Sequence, residues 1–438
     1  MKRICYTVAT GILFLYACKP TETELFENKI QNDEVKLIRL SADHNLLLPD
    51  APAQMEFRCA AYGIKDVKKL VKTVAGSVVT YTEEIKQDTF LIPKDRIAPD
   101  FIKVYHEGGV LVKDNVYQTT DQQLRTITFY AQAGNLKSEP LKVTIRPLQD
   151  TESMPEIVFP VMFHLMVPPP SNKPAYSITS AQLQEKLDRL NVIFNRQRTT
   201  NPNGGNAKIV FKLAEFDRAG KRLKAKGQET INVAAGLTDV QYKQLINTTK
   251  IWDPNKYLNI YVAKFADNWT SSGALSYIAE APKVILSSAA TIPGLTTTPV
   301  AAYSETDVKD FSEAAILLNY GEFFNPALWV SNNPLELATV IGYFFGLKTN
   351  KASFNDSNVV NGDTDYCADT YMYQENTPNF SIYKTAYKSD DKFTSFNIMT
   401  DYSRKNSVTV DQVKRIRKVL ESCPSRWSYK SNWAFTGN

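Results

Sequence analysis

Histidine is what this sequence has least of: His44, His106 and His164 are all there are in 438 residues. A metal site built from three histidines beyond residue 155 therefore cannot be assembled from this chain. Dense Lys/Arg blocks are also missing, and a net charge of +5 over this length neutralises no row of phosphates, so nucleic acid is not an expected partner. No segment approaches the roughly 18 apolar residues of a membrane-spanning helix. The sequence has no G-x-S-x-G, no P-loop and no G-x-G-x-x-G after a strand. The one glycine pair that could suggest a phosphate loop, in Asn201-Pro202-Asn203-Gly204-Gly205-Asn206, has the composition of a surface turn. What is present, 43% hydrophobic and 22% charged residues, is the make-up of a folded globular chain, and the length calls for two or three domains.

The first residues read as an address. Met1, Lys2 and Arg3 form a basic start, residues 7–17 are apolar but too short to span a bilayer, and the stretch ends Leu15-Tyr16-Ala17-Cys18. Residues 1–17 are thus expected to be a signal peptide. The ending resembles the lipobox of bacterial lipoproteins, which implies lipidation of Cys18 and a chain anchored by lipid alone at the outer membrane or cell surface. Residues 18–33, with Glu22, Glu24 and Glu27, read as a polar tether. Of the five cysteines, Cys59, Cys367 and Cys423 would remain in the folded part. Export makes a bridge between Cys367 and Cys423 plausible, the alternative being three reduced core thiols.

Residues 34–148 show short strands between turns, with apolar/polar alternation at 55–62, 126–130 and Leu141, Val143, Ile145. An all-β, immunoglobulin-like sandwich is expected there, and it resembles the modules that precede catalytic domains in secreted proteins of the Bacteroides group. His106 and Glu107 read as a surface pair. After the polar linker at 147–155 the pattern changes to alternating strands and helices, an α+β domain over 155–425, with residues 426–438 left as a tail. Ile157–Val167 is nearly continuous in apolar residues, as in a strand buried on both faces, and Pro168-Pro169-Pro170 stops it. Thr179 and Gln182 form a capping box for a helix carrying Leu183, Leu187, Leu190 and Phe194 on one stripe. Strands are expected at 208–213, 257–263 and 315–319, and helices at 335–347 and 410–420. The last would bury Val413, Ile416, Val419 and Leu420 and turn Lys414, Arg415, Arg417 and Lys418 to solvent.

Four blocks, in this order, carry a further resemblance: Phe159-Pro160-Val161-Met162-Phe163-His164, Asn191-Val192-Ile193-Phe194-Asn195, Trp252-Asp253-Pro254-Asn255-Lys256-Tyr257-Leu258-Asn259-Ile260-Tyr261, and Asn397-Ile398-Met399-Thr400-Asp401-Tyr402. Together they resemble the pappalysin (cytophagalysin) family of metzincin zinc metalloproteases over about residues 155–425. The resemblance implies a metzincin-like (zincin) domain with a methionine turn at Met399. That family's active-site helix reads H-E-x-x-H-x-x-G-x-x-H, because histidines at i and i+4 share one helix face, a glycine turns the chain sharply, and a third histidine closes the metal site.

Laid on this sequence, the motif falls on residues 339–349, Thr-Val-Ile-Gly-Tyr-Phe-Phe-Gly-Leu-Lys-Thr. Thr339, Tyr343 and Thr349 stand at the three ligand positions and Val340 at the glutamate that would activate water, while Gly342 and Gly346 remain. Valine takes no proton and a threonine hydroxyl is a poor zinc ligand. Zinc and proteolysis are thus expected to be absent, and the former pocket filled by side chains. Asp363, Asp365 and Asp369 resemble the acidic loop after that helix and read either as calcium ligands or as a turn with Asx caps. His164 reads as a satisfied core histidine. The expected role is a lipid-anchored pseudopeptidase that binds a protein, peptide or glycan outside the cell or in the periplasm. A structural or adhesive lipoprotein, and less so a hydrolase with noncanonical residues, are the alternatives.

Overall fold

The computed structural model describes residues 34–75, 78–123, 125–148, 154–168, 178–249, 251–265, 277–286, 291–303, 308, 310–324, 336–352, 365–374, 381–389 and 391–438. The leader, Cys18 and Asp363 lie outside the described residues. The chain divides into two compact units that cut it differently from the 34–148 and 155–425 division read from composition. One unit holds Ala60–Ile102 with Gln132–Lys137 and the described residues up to Ile38. The other holds Arg39–Cys59, Lys103–Ala131 and Ser138–Asn438.

The first unit is dominated by an antiparallel arm, residues 60–75 of β1 (Met55–Ala75) with β2 (Val78–Leu91), paired without interruption from Tyr62↔Leu91 to Ala75↔Val78. Sequence alternation marks only its base, because beyond Gly63 neither face has a core to enter. Gly63 leaves room for the ring of Phe90 on the facing strand, which a Cβ there would meet at 2.5 Å and push aside. The second unit keeps a small antiparallel sheet in which β3 (Thr126–Ala133) pairs with β4 (Leu141–Ile145) and buries Ile127, Phe129, Ala131, Val143 and Ile145, the alternation expected.

Beyond residue 155 the second unit is a mixed sheet with helices. Its axis is β5 (Ile157–Val167), which pairs in parallel with β6 (Ile209–Leu213), β7 (Gln228–Asn232) and β8 (Leu258–Ala263). The sheet continues through β10 (Ala315–Asn319), parallel to β8, to the antiparallel edge β9 (Tyr277–Ile278). Both faces of β5 are covered, which explains its unbroken apolar run. Phe159, Val161, Phe163 and Leu165 join Leu183, Leu187, Leu190 and Phe194 of α1 (Ser180–Phe194), together with α3 (Leu337–Phe344) and α4 (Val410–Ser422). Met166 faces Tyr242 and Ile246 of α2 (Asp239–Thr248) on the other side. Capping boxes start α1 at Thr179/Gln182, α2 at Thr238/Gln241 and α4 at Thr409/Gln412. Among the described residues no helix is long and apolar enough to cross a membrane.

Two asparagines of the Asn191–Asn195 block seal the free edge of β6. Asn191 accepts from the Phe211 N–H at 2.8 Å and donates to the Phe211 carbonyl at 3.1 Å; Asn195 does the same to Ile209 at 3.1 and 2.8 Å. The fit is metric, since four residues of helix and two of strand both advance about 6 Å. Asn191→Leu removes a donor and an acceptor together and leaves the Phe211 amide without its partner, so it should cost about 2 kcal/mol in urea-induced unfolding. A loss below about 0.5 kcal/mol would show the clamp to be incidental.

Several expectations need correction. The stretch from Asn201 to Gly205 is buried, not a surface turn: the Gly205 amide donates to Val408, the Val410 amide donates to Asn203, and a Cβ on Gly205 would lie 2.8 Å from the Thr409 carbonyl. Lys414 and Lys418 face solvent, but Arg415 and Arg417 do not form a solvated face. Arg415 donates to the Gly346 and Pro293 carbonyls at 2.7 and 2.8 Å, and Arg417 donates to Ala207 and Pro155. Residues 426–438 are not a tail. Pro424–Lys430 is a 3-10 helix, Ala434 is buried, and Arg426 is 1% exposed.

Candidate functional site

The site positions sit on α3 and the turn that follows it. Its glycines have distinct backbone tasks. A Cβ on Gly342 would lie 2.8 Å from Met399 Sδ and 3.2 Å from Ile398 Cδ1, so only a glycine lets the helix rest on the methionine turn. Gly346 has φ +82° and ends the helix: its own amide donates to Tyr343, and the Leu347 amide donates to Gly342. That is the paired hydrogen-bond pattern of a left-handed glycine cap. Val340 is wholly buried in the main core and Met399 is a core residue beneath the helix.

The three positions where the resemblance would put ligands turn their polar atoms to the protein itself. Thr339 Oγ1 donates to the Ile398 carbonyl at 2.7 Å and accepts from Lys405 Nζ at 3.5 Å. Thr349 Oγ1 donates to the next carbonyl, Met399, at 3.4 Å and accepts from the Lys351 amide at 3.2 Å. Tyr343 lies 6.2 Å, ring to ring, from Tyr277. Burial raises the pKa of Tyr343, with Asp401 adding to the rise while a Thr349 hydrogen bond and Lys351 oppose it. Burial likewise lowers Lys405, against the pull of Asp401 and Glu336. Two hydroxyls thus latch successive carbonyls of the methionine turn, and neither a base nor a ligand set results. Residues of this kind do not fit zinc.

The acidic loop divides. Asp363 is not described. Asp365 accepts from the Cys367 amide at 3.1 Å and from Thr370 Oγ1 at 2.5 Å. Asp369 is buried and accepts from Thr409 Oγ1 at 2.6 Å, the Asp411 amide at 2.9 Å and Arg146 Nη1 at 3.0 Å. It therefore caps the N-terminus of α4 from outside. Burial and the neighbouring Asp411 push its pKa up to about 6, against its hydrogen bonds and Arg146. Among the described residues no three His, Cys, Asp or Glu side chains are grouped to hold a metal.

No disulfide joins Cys367 to Cys423, which corrects the expected bridge. Cys367 Sγ donates to the Asp365 carbonyl at 3.5 Å, whereas Cys423 packs on Ile292 and Val419. Burial raises both thiols, Cys423 to about 11. His164, as read from its strand, is satisfied: Nδ1 meets Glu229 Oε1 at 2.6 Å and Nε2 meets Asn259 Oδ1 at 2.9 Å, with the ring stacked on Tyr261 at 4.4 Å. The Trp252–Tyr261 block earns its residues here, because Asn259 Nδ2 also donates to the Trp252 carbonyl at 2.8 Å. His106 packs against Tyr117 and Phe129 rather than standing alone. Lys405 was not legible as a site residue, since nothing in its local sequence marks burial beside Thr339.

No protein-family model matches the chain, and no curated protein does. Among solved structures it is similar to mature mirolysin of Tannerella forsythia in complex with a cleaved peptide, at 21% identity over 65% of this chain and 99% of that one, with a TM-score of 0.45. It is also similar to mirolysin in complex with compound 9, at 22% identity over 65% of this chain and 100% of that one, with a TM-score of 0.46.

Proposed function

We propose that the chain is a catalytically silent, metzincin-like protein that binds a protein, peptide or glycan without cutting it. In this reading an immunoglobulin-like module lies within residues 34–148 and Cys18 is lipidated at the cell envelope. The observation that carries the silent reading is the use made of the ligand positions: the Thr339 and Thr349 hydroxyls are spent on the Ile398 and Met399 carbonyls, and the place of the water-activating carboxylate is a buried valine. A histidine inventory of three, with His164 held by Glu229 and Asn259, supports it from another direction.

Elemental analysis of the purified chain tests the reading, with zinc expected far below one per chain and casein left intact with or without chelator. One tightly held equivalent of zinc, or casein cleavage that chelator abolishes, would overturn it.

A further inference from the structure

The arm has an open edge whose chemistry matches itself. Among the described residues β2 pairs with β1 on one side and with no strand on the other. The Ile92 amide donates to the Ala61 carbonyl at 2.9 Å, which fixes Ala61/Ile92 as a hydrogen-bonded pair. Antiparallel ladders alternate, so residues 80, 82, 84, 86, 88 and 90 turn their backbone groups toward β1. Val79, Tyr81, Glu83, Ile85, Gln87, Thr89 and Leu91 turn theirs outward. The same residues share one face, on which large apolar side chains stand exposed around the Lys68–Glu83 ion pair: Tyr81 is 62%, Ile85 69% and Leu91 59% exposed, beside Leu70 of β1 at 69%. Long exposed edges of this composition pair with other strands unless something guards them. The outer edge of β1 is guarded by Lys65, Lys68, Lys69 and Lys72, whereas β2 carries both signs.

We propose that β2 is a homodimerisation strand, pairing antiparallel with β2 of a second copy about a two-fold axis through Ile85. This register sets Ile85 against Ile85 of the partner, Glu84 against Lys86 twice, Tyr81 against Thr89 and Val79 against Leu91. The outward backbone groups then meet in hydrogen-bonded pairs. Shifting the axis by one residue sets Glu84 against Glu84 or Lys86 against Lys86, which opposes like charges directly. Charge and the outward backbone groups exclude the one-residue shifts; an axis through Gln87 would set Lys86 against Asp88 but leave Ile85 facing Thr89, so the apolar Ile85 pair favours the register given, and the two-fold makes the contact isologous and closed.

Analytical ultracentrifugation of the full chain should show a concentration-dependent dimer. Ile85→Pro should give the monomer while keeping the arm, because the Ile85 N–H points outward and is not bonded within the arm. Glu84→Lys and Lys86→Glu should each weaken association about tenfold or more, and the two together should restore it. Ile85→Cys should form a covalent dimer under oxidation, since hydrogen-bonded partners stand about 5.5 Å apart, within disulfide reach; Gln87→Cys should not. A chain that stays monomeric at all concentrations, or a dimer indifferent to Ile85→Pro, overturns the proposal. A dimer linked as readily through position 87 as through 85 overturns its register.

Discussion

Replacing Arg426 by methionine is expected to lower the unfolding free energy by about 3–5 kcal/mol, because three buried carbonyls lose a charge-assisted donor at roughly 1–3 kcal/mol each. Its Nε donates to the Phe344 carbonyl at 2.7 Å, Nη1 to Glu313 at 2.6 Å and Nη2 to Glu280 at 2.8 Å, and the guanidinium lies 3.4 Å from the Phe344 ring centroid. One side chain thus ties the end of α3 to segments before β10 and after β9, satisfying carbonyls that the end of a helix and two loops would otherwise bury unpaired. Burial pulls its pKa down to about 9, still above neutrality, so the donors stay charged at pH 7. Methionine fills similar volume and donates nothing. Arg426→Lys should recover only part of the loss, because a single ammonium cannot reach three carbonyls held by a planar fork. Urea titration followed by tryptophan fluorescence measures the difference. A loss under about 1 kcal/mol for the methionine variant would mean that the loops relax to find other donors.

Acid should destabilise the protein in two separated steps. His44 is buried, stacked on Tyr371 at 4.3 Å, and its Nδ1 accepts from the Leu46 amide. Burial, with Arg146 adding and Asp411 opposing, lowers its pKa to about 3. The unfolded chain therefore takes up this proton first, near pH 6.5, and the stability present above that value drains at roughly 1.4 kcal/mol per pH unit until about pH 3. Asp369 acts with the opposite sign. Its folded pKa of about 6 exceeds the ordinary 3.8, so the folded chain takes up that proton first between those values. The gain offsets the histidine's loss there. The contribution of the pair to thermal stability should thus fall from pH 6.5 to 6, stay nearly level to pH 4, and fall again below it. Scanning calorimetry from pH 3 to 8 shows the shape against variant controls. His44→Asn, whose Oδ1 can still take the Leu46 amide, should lose both falls. Asp369→Asn should turn the plateau into a slope. Identical profiles for wild type and His44→Asn would sink the assignment.

The sheet and helices of the second unit were readable because burial imposes periods. Ile157–Val167 and Ala315–Asn319 stand where continuous apolar runs put them, and the capping box at Thr179 starts its helix. The glycine frame at 342 and 346 was equally legible, since close approach and positive φ each leave glycine as the usual solution. Arginines hide their burial in the sequence for a physical reason. The Arg415 and Arg426 partners are carbonyls 69 and 146 residues away, and a long cationic side chain looks the same in sequence whether it reaches water or a distant backbone. The arm leaves no signature in the sequence because a two-stranded ribbon without a core has no buried face to print a pattern on.

The asparagine clamp on β6 also bears on what happens when the molecule is not intact. An intruding strand would have to dislodge two helix side chains before finding a free carbonyl at Ile209 or Phe211. Molecules partly loosened by acid or heat therefore keep that flank of the sheet from seeding a fibre, for as long as α1 stays docked. In this protein the helix that builds the core is also what stops misassembly at that edge.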